Sequence, residues 1–187
     1  MNEAQIKAAL YQSELARLCM QDPSTRVVEE FCILGGKVRV DVSAINGQLH
    51  GYEIKSAADN LDRLPRQQKY YNKIFDRITL VADEKHVVHA VKIVPPFWGL
   101  IAARSTADGV VLNEIWPARQ NFDVDANALV QLLWRDEVLS VLRVNGIGRG
   151  LSQKSRKYLW KVMTSKLELP IIQSSVRNCL KYRIDWR

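Results

Sequence analysis

The sequence predicts an α/β fold, a mixed central β-sheet flanked by helices, with a basic helical C-terminal region. Three observations predict it. Two stretches of alternating hydrophobicity are separated by Asn46-Gly47, a helical stretch leads directly into strand-like residues 77–82, and the final third reads as helices that hold all of the excess positive charge. The expected division is residues 1–125 as an α/β domain and 126–187 as the basic helical region.

In chain order, a first helix is expected over residues 3–20, where Ile6, Leu10, Leu15 and Leu18 recur near helical spacing. Residues 26–34 read as a strand, with Val28, Glu30 and Cys32 on one face and Val27, Glu29 and Phe31 on the other. In residues 37–45 the valines at 38, 40 and 42 share a face opposite Arg39, Asp41 and Ser43, and in residues 51–56 Tyr52 and Ile54 oppose Glu53 and Lys55. Asn46-Gly47 between them marks a hairpin. A two-residue loop sets Asp41 against Tyr52 and sends Glu53 to the other face. A three-residue loop with Gly47 left-handed sets Ala44 against Gln48 and Asp41 against Gly51, leaving Glu53 a same-face diagonal neighbour. The odd loop is the expectation.

Residues 61–76 read as a helix introduced by Asp59-Asn60, with Pro65 threatening an interruption and with Gln67 and Tyr71 on one face. A strand over 77–82, an apolar segment at 87–94 after His86, and a strand over 98–103 follow. Asp108-Gly109 turns into a further strand at 110–115. Helices are expected over 127–144, over 152–166 with Ser152 as cap, and over about 171–182 after Pro170.

The chemistry centres on Asp41, followed twelve residues later by Glu53-Ile54-Lys55. Two carboxylates and an ammonium on neighbouring strands suit a magnesium site for cutting a phosphodiester. A bare Glu-x-Lys is common and by itself reads as a solvent-facing charge pair. Here it is accompanied by the upstream acid and by Gln67-x-x-x-Tyr71 on the next helix.

That order resembles the PD-(D/E)XK nuclease superfamily, in its branch related to RecB-type and CRISPR-adaptation exonucleases, over about residues 1–82. The runs Arg39-Val-Asp41, Gly51-Tyr-Glu-Ile-Lys-Ser56, Arg63-Leu-Pro and Tyr71-Asn-Lys-Ile-Phe-Asp76, with Trp98-Gly99 and Leu133-Trp-Arg-Asp-Glu137, look more closely like a family of small bacterial and phage proteins of unassigned function. The superfamily resemblance implies a restriction-endonuclease-like αβββαβ core. It also implies that Asp41, Glu53 and the carbonyl of Ile54 bind Mg2+ or Mn2+, hard ions that take oxygen ligands. Lys55 would orient the attacking water or hold the phosphate, and Gln67 and Tyr71 would position the nucleic-acid backbone or the water. The reaction implied is in-line hydrolysis of DNA that leaves 5′-phosphate and 3′-hydroxyl ends. Superfamily members often add an acid from the first helix. Glu14 lies there, and Glu30 in the strand competes with it and is preferred.

The net charge of +7 is unevenly placed. Residues 1–133 carry 15 Lys or Arg and 16 Asp or Glu, whereas residues 134–187 carry 12 and 4. Such a segment attracts phosphate without reading sequence, although a solvated helix face has the same composition. The pattern from Leu142 to Leu159 is weakly similar to SAP-type DNA-binding modules, and Gly146-Ile-Gly-Arg-Gly150 lacks the ending of a nucleotide-binding P-loop. Cys19, Cys32 and Cys179 read as free thiols, His50, His86 and His89 form no zinc pattern, and the five tryptophans show no stacking cluster. No apolar run approaches the roughly 18 residues of a membrane span, and the N-terminal residues do not read as a secretory signal. The expectation is a cytoplasmic protein acting on nucleic acid, DNA first, with its oligomeric state open, a homodimer included. The alternative reading is a catalytically silent nucleic-acid-binding or interaction protein on a nuclease-like fold.

Overall fold

A six-stranded mixed sheet runs through the molecule in the order β1-β2-β3-β4-β5-β6. The computed structural model describes residues 1–184 and 186. The chain opens with α1 (Glu3–Leu10), a π-helical stretch over Tyr11–Leu15, and α2 (Ala16–Gln21), then β1 (Arg26–Ile33), β2 (Val38–Ile45) and β3 (Leu49–Lys55). It continues through α3 (Leu64–Tyr71), β4 (Arg77–Asp83), α4 (Glu84–Ile93), β5 (Gly99–Thr106) and β6 (Gly109–Trp116). It closes with α5 (Ala126–Leu129), a 3-10 turn over Val130–Leu132, α6 (Arg135–Val144), α7 (Arg156–Lys166) and α8 (Leu169–Tyr182).

β1, β2 and β3 pair antiparallel, β3, β4 and β5 parallel, and β5 and β6 antiparallel. The parallel strands are covered on both faces, which is why β4 reads as a nearly unbroken apolar run. On one face Ile6 and Leu10 of α1, with Leu15, meet Val42, Tyr52, Ile54 and Val81. On the other, α3 and the C-terminal helices bury Leu64, Tyr71, Leu142, Ile172 and Val176 against Val40, Ile45 and Leu80. That second core spans the expected boundary at residue 125, and α8 is further tied to the sheet by Arg177, whose guanidinium meets Asp76 at 2.6 and 2.8 Å. Among the described residues no helix is long and apolar enough to cross a membrane.

Several expectations are revised. The hairpin loop is three residues long, with Gly47 at φ 94°, but it comprises residues 46–48 and pairs Ile45 with Leu49 rather than Ala44 with Gln48. Ile45 and Leu49 are both buried in the larger core, and the expected register would have left Ile45 in the loop. The valines of β2 do not share a face. Val40 enters one core and Val42 the other, because alternation breaks beside Glu30, which has φ 51° on β1. Pro65 sits in the first turn of α3 and starts the helix instead of interrupting it. Asp59 does not cap that helix, since its carboxylate accepts from Ser56 N and Oγ. The helix expected over 127–144 breaks at Leu133, and Glu137 then caps the Trp134 N–H at 2.7 Å. Ser155, not Ser152, caps α7.

Candidate active site

The site lies at a fork between β2 and β3. Their ladder ends at the pair Val42 and Tyr52, while β2 goes on with β1 to Ile33 and Val38, and β3 goes on with β4 to Lys55 and Ala82. One residue past the last rung, register places Asp41 across from Glu53. Asp41 Oδ2 takes the Ile54 N–H at 2.6 Å, a donor left over when the strands part. The backbone of Ile54 therefore meets Asp41 through its amide.

Glu53 is 1% exposed, and its carboxylate is held by three donors. Lys55 Nζ and Gln67 Nε2 each reach Oε1 at 2.5 Å, and the Tyr71 hydroxyl reaches Oε2 at 2.6 Å. The Tyr71 proton has a second acceptor in the Arg39 carbonyl at 2.8 Å, and Gln67 Nε2 also lies 3.3 Å from the Tyr71 oxygen. Gln67 and Tyr71 come from consecutive turns of α3, packed over the end of β3. Burial, followed by the neighbouring Glu53 charge, pushes the Tyr71 hydroxyl above its ordinary pKa, so it stays protonated as a donor. The Gln67 Oε1 atom is buried and takes no donor among the described residues.

Asp41 has fewer supports. Burial and then the Glu53 charge push its carboxyl up to about 7, against the opposing pull of the Ile54 N–H and Lys55. One carboxylate oxygen from each of Glu3, Glu30 and Asp41 lies within 4.8 Å of the others. Glu30 is brought in by its left-handed backbone opposite Asp41, and it pairs with Arg39 at 2.5 Å and Lys7 at 3.8 Å. Asp41, Glu53, Ile54, Lys55 and Gln67 line one cavity of about 400 Å³, rimmed by Lys37, Arg39, Arg63 and Arg66. Asp59 lines it too, and His86 Nε2 meets Ser56 O at 3.1 Å behind the turn that follows Lys55.

Asp41, Glu53, Lys55, Gln67, Tyr71 and Glu30, all expected from the sequence, thus lie together in the fold. Glu3, not expected from the sequence, is the first-helix acid that reaches the cluster. Glu14 is elsewhere: it pairs with Arg17 and accepts from Tyr52 at 3.2 Å, in a separate cavity lined by His50 and Arg77. His50 lines that separate cavity, with its Nε2 2.8 Å from the Thr79 hydroxyl.

A donor set of carboxylates beside an ammonium suits a hard divalent ion, and a carboxyl pushed up to about 7 by burial and like charge is one that a cation would relieve. The same groups can bind and orient a phosphate through Lys55 and the basic rim, and hold a water against Asp41.

The chain matches the family described as Bacteriophage P4 protein cII over residues 1–186. It is 26% identical over 183 residues to Protein cII of Enterobacteria phage P4, covering 98% of this chain and 68% of that protein. Among solved structures it is similar to a protein of unknown function from Silicibacter pomeroyi, with a TM-score of 0.43 and 18% identity, covering 72% of this chain and 87% of that one.

Proposed function

This chain belongs to the Bacteriophage P4 protein cII family, and on the geometry of its site we propose that it is a divalent-metal-dependent nuclease of the PD-(D/E)XK type that hydrolyses DNA. The observation that carries the reading is the convergence of Asp41, Glu53 and Lys55 at the strand fork, with Gln67 and Tyr71 bonded to Glu53 from α3. The order of helix, three antiparallel strands, helix and parallel strand supports a restriction-endonuclease-like core.

Asp41 and Glu53, with Glu3 and Glu30 beside Asp41, would hold Mg2+ or Mn2+. A bound ion supplies Lewis acidity toward the scissile phosphate and a more acidic water. Lys55, held 2.5 Å from Glu53 on the wall of the cavity, would neutralise negative charge on the oxygens of the scissile phosphate. Tyr71 and Gln67 hold Glu53 in place by donating to its carboxylate. Arg63, Arg66, Lys37 and Arg39 seat the flanking phosphates.

The test is incubation with circular and linear DNA, single- and double-stranded, with magnesium or manganese. Cleavage that is lost in Lys55→Ala and in chelator is the expected result, and survival of circles assigns an exonuclease. Metal-independent cleavage, or cleavage undiminished in Lys55→Ala, overturns the proposal. Binding of DNA with no cleavage of any form favours the silent binding protein instead.

A further inference from the structure

A second groove, of about 380 Å³, opens on the far side of Glu30 and is lined by Phe31, Leu34, Trp134, Arg156, Arg183 and Trp186. Glu30 joins the two places, since its carboxylate stands with Glu3 and Asp41 while the residue borders this groove. From this arrangement we infer that the groove is a stacking subsite for an unpaired nucleobase, making single-stranded nucleic acid the substrate class of the neighbouring centre. The inference rests on the nuclease reading for the second half of that statement only.

The aromatic walls are set before any ligand arrives. Arg183 lies between the rings of Trp134 and Trp186, at 4.3 and 4.7 Å from their centroids. It is 6% exposed in its side chain and is pinned by Glu137 at 2.6 and 2.8 Å and by the Leu132 carbonyl at 2.9 Å. Trp186 also packs edge-on against Phe31 at 5.8 Å. Rings held this way lose little freedom on binding.

Charge selects the same occupant. Arg156 is exposed, stacks at 4.8 Å on Trp160, and lies in a segment whose basic residues number 12 against 4 acids. Indole faces beside guanidinium groups suit a polyanion that carries π-faces, because each base stacks while its phosphate meets the cation. In a duplex those base faces are covered by their neighbours, so only an unpaired base can enter.

The experiment measures binding in chelator, by quenching of tryptophan emission and by anisotropy, for oligothymidylate, for an abasic strand of equal length and charge, and for a duplex. Oligothymidylate should bind about tenfold or more tighter than the abasic strand, a margin typical of base stacking, and tighter than the duplex. Trp186→Ala should erase the preference over the abasic strand, and Arg156→Ala should weaken all strands several-fold. Equal affinity for thymidylate and abasic strands, or tightest binding of duplex, overturns the subsite. If Trp186→Ala fails to fold, the abasic comparison on the unaltered protein still decides. Base preference without cleavage in any metal would remove the enzyme and leave the subsite, whereas cleavage without base preference would remove the subsite alone.

Discussion

Asp41 sits where its ionised form is penalised, and this gives a pH signature. Its folded-state value of about 7 lies above the ordinary 3.8, so the folded chain holds the proton more tightly than the unfolded one. Below about pH 3 both states are protonated and the group leaves stability unchanged. Between about pH 3 and 7 the unfolded chain ionises first, stability falls as pH rises, and above pH 7 the penalty is complete. Asp41→Asn keeps an acceptor for the Ile54 N–H, and it is expected to exceed the parent by about 2–4 kcal/mol at pH 8 and to match it at pH 3. Urea melts at the two pH values check this, and equal stability at pH 8 refutes the buried, repelled carboxyl. Magnesium should raise the melting temperature of the parent at pH 8 and leave the variant unmoved. Tyr71→Phe removes a donor from buried Glu53 and is expected to cost about 1–3 kcal/mol, with cleavage reduced more than DNA binding. At this scale most of the site was legible, because period-two alternation aligns Glu53 with Lys55 and helical spacing aligns Gln67 with Tyr71. Glu3 was not legible. It lies eleven residues before Glu14, and in an ideal helix that spacing returns to the same face three turns away, about 16 Å along the axis. Face alone cannot choose between the two acids; the choice needs to know which helix end lies over the fork.

The strand pair β1 and β2 is shaped by one unfavourable residue. Glu30 has φ 51°, a left-handed conformation that costs a non-glycine residue about 1–2 kcal/mol. It is also the residue that turns a carboxylate toward Asp41. Glu30→Gly relieves the backbone, offset in part by the greater chain entropy lost by glycine, and its ion pairs with Lys7 and Arg39 are exposed enough to contribute little. The variant is therefore expected to melt at or slightly above the parent while its apparent magnesium affinity and cleavage fall. Thermal melting paired with a metal titration tests it, and a clear loss of stability would show that Glu30 serves the fold instead. Elements such as β4 and α8 could be read from residue pattern because they are uniform. The break of alternation at Glu30 and Asp41 could not, since no glycine marks it. The π-helical stretch over Tyr11–Leu15 likewise lacks a local signal, although Ser13 Oγ bonds the Ala9 carbonyl at 2.7 Å just before it.

For the molecule as a whole, the question is whether the basic C-terminal helices form a unit of their own. Composition suggests a boundary near residue 125, because charge changes sign there, but charge reports the surface and the boundary is a matter of the core. Val138, Leu159, Ile172 and Val176 share one core with Ile33, Val40 and Leu80. Asp76, 2% exposed, joins the two parts: its Oδ2 takes the Leu49 N–H at 2.6 Å, and its carboxylate is gripped by Arg177 from α8. Arg177→Met would leave that carboxylate buried with its cation gone, which costs about 3–5 kcal/mol. Adding Asp76→Asn should recover much of this, as a neutral amide still accepts from Leu49. The expected result by calorimetry is one cooperative transition, lowered in Arg177→Met and partly restored in the double variant. Two separated transitions, with only the helical one moved by Arg177→Met, would instead make residues 126–187 an independent domain. In the cooperative case the groove at Trp186 and the fork at Asp41 are held in fixed relation, because both border the same β1–β2 pair.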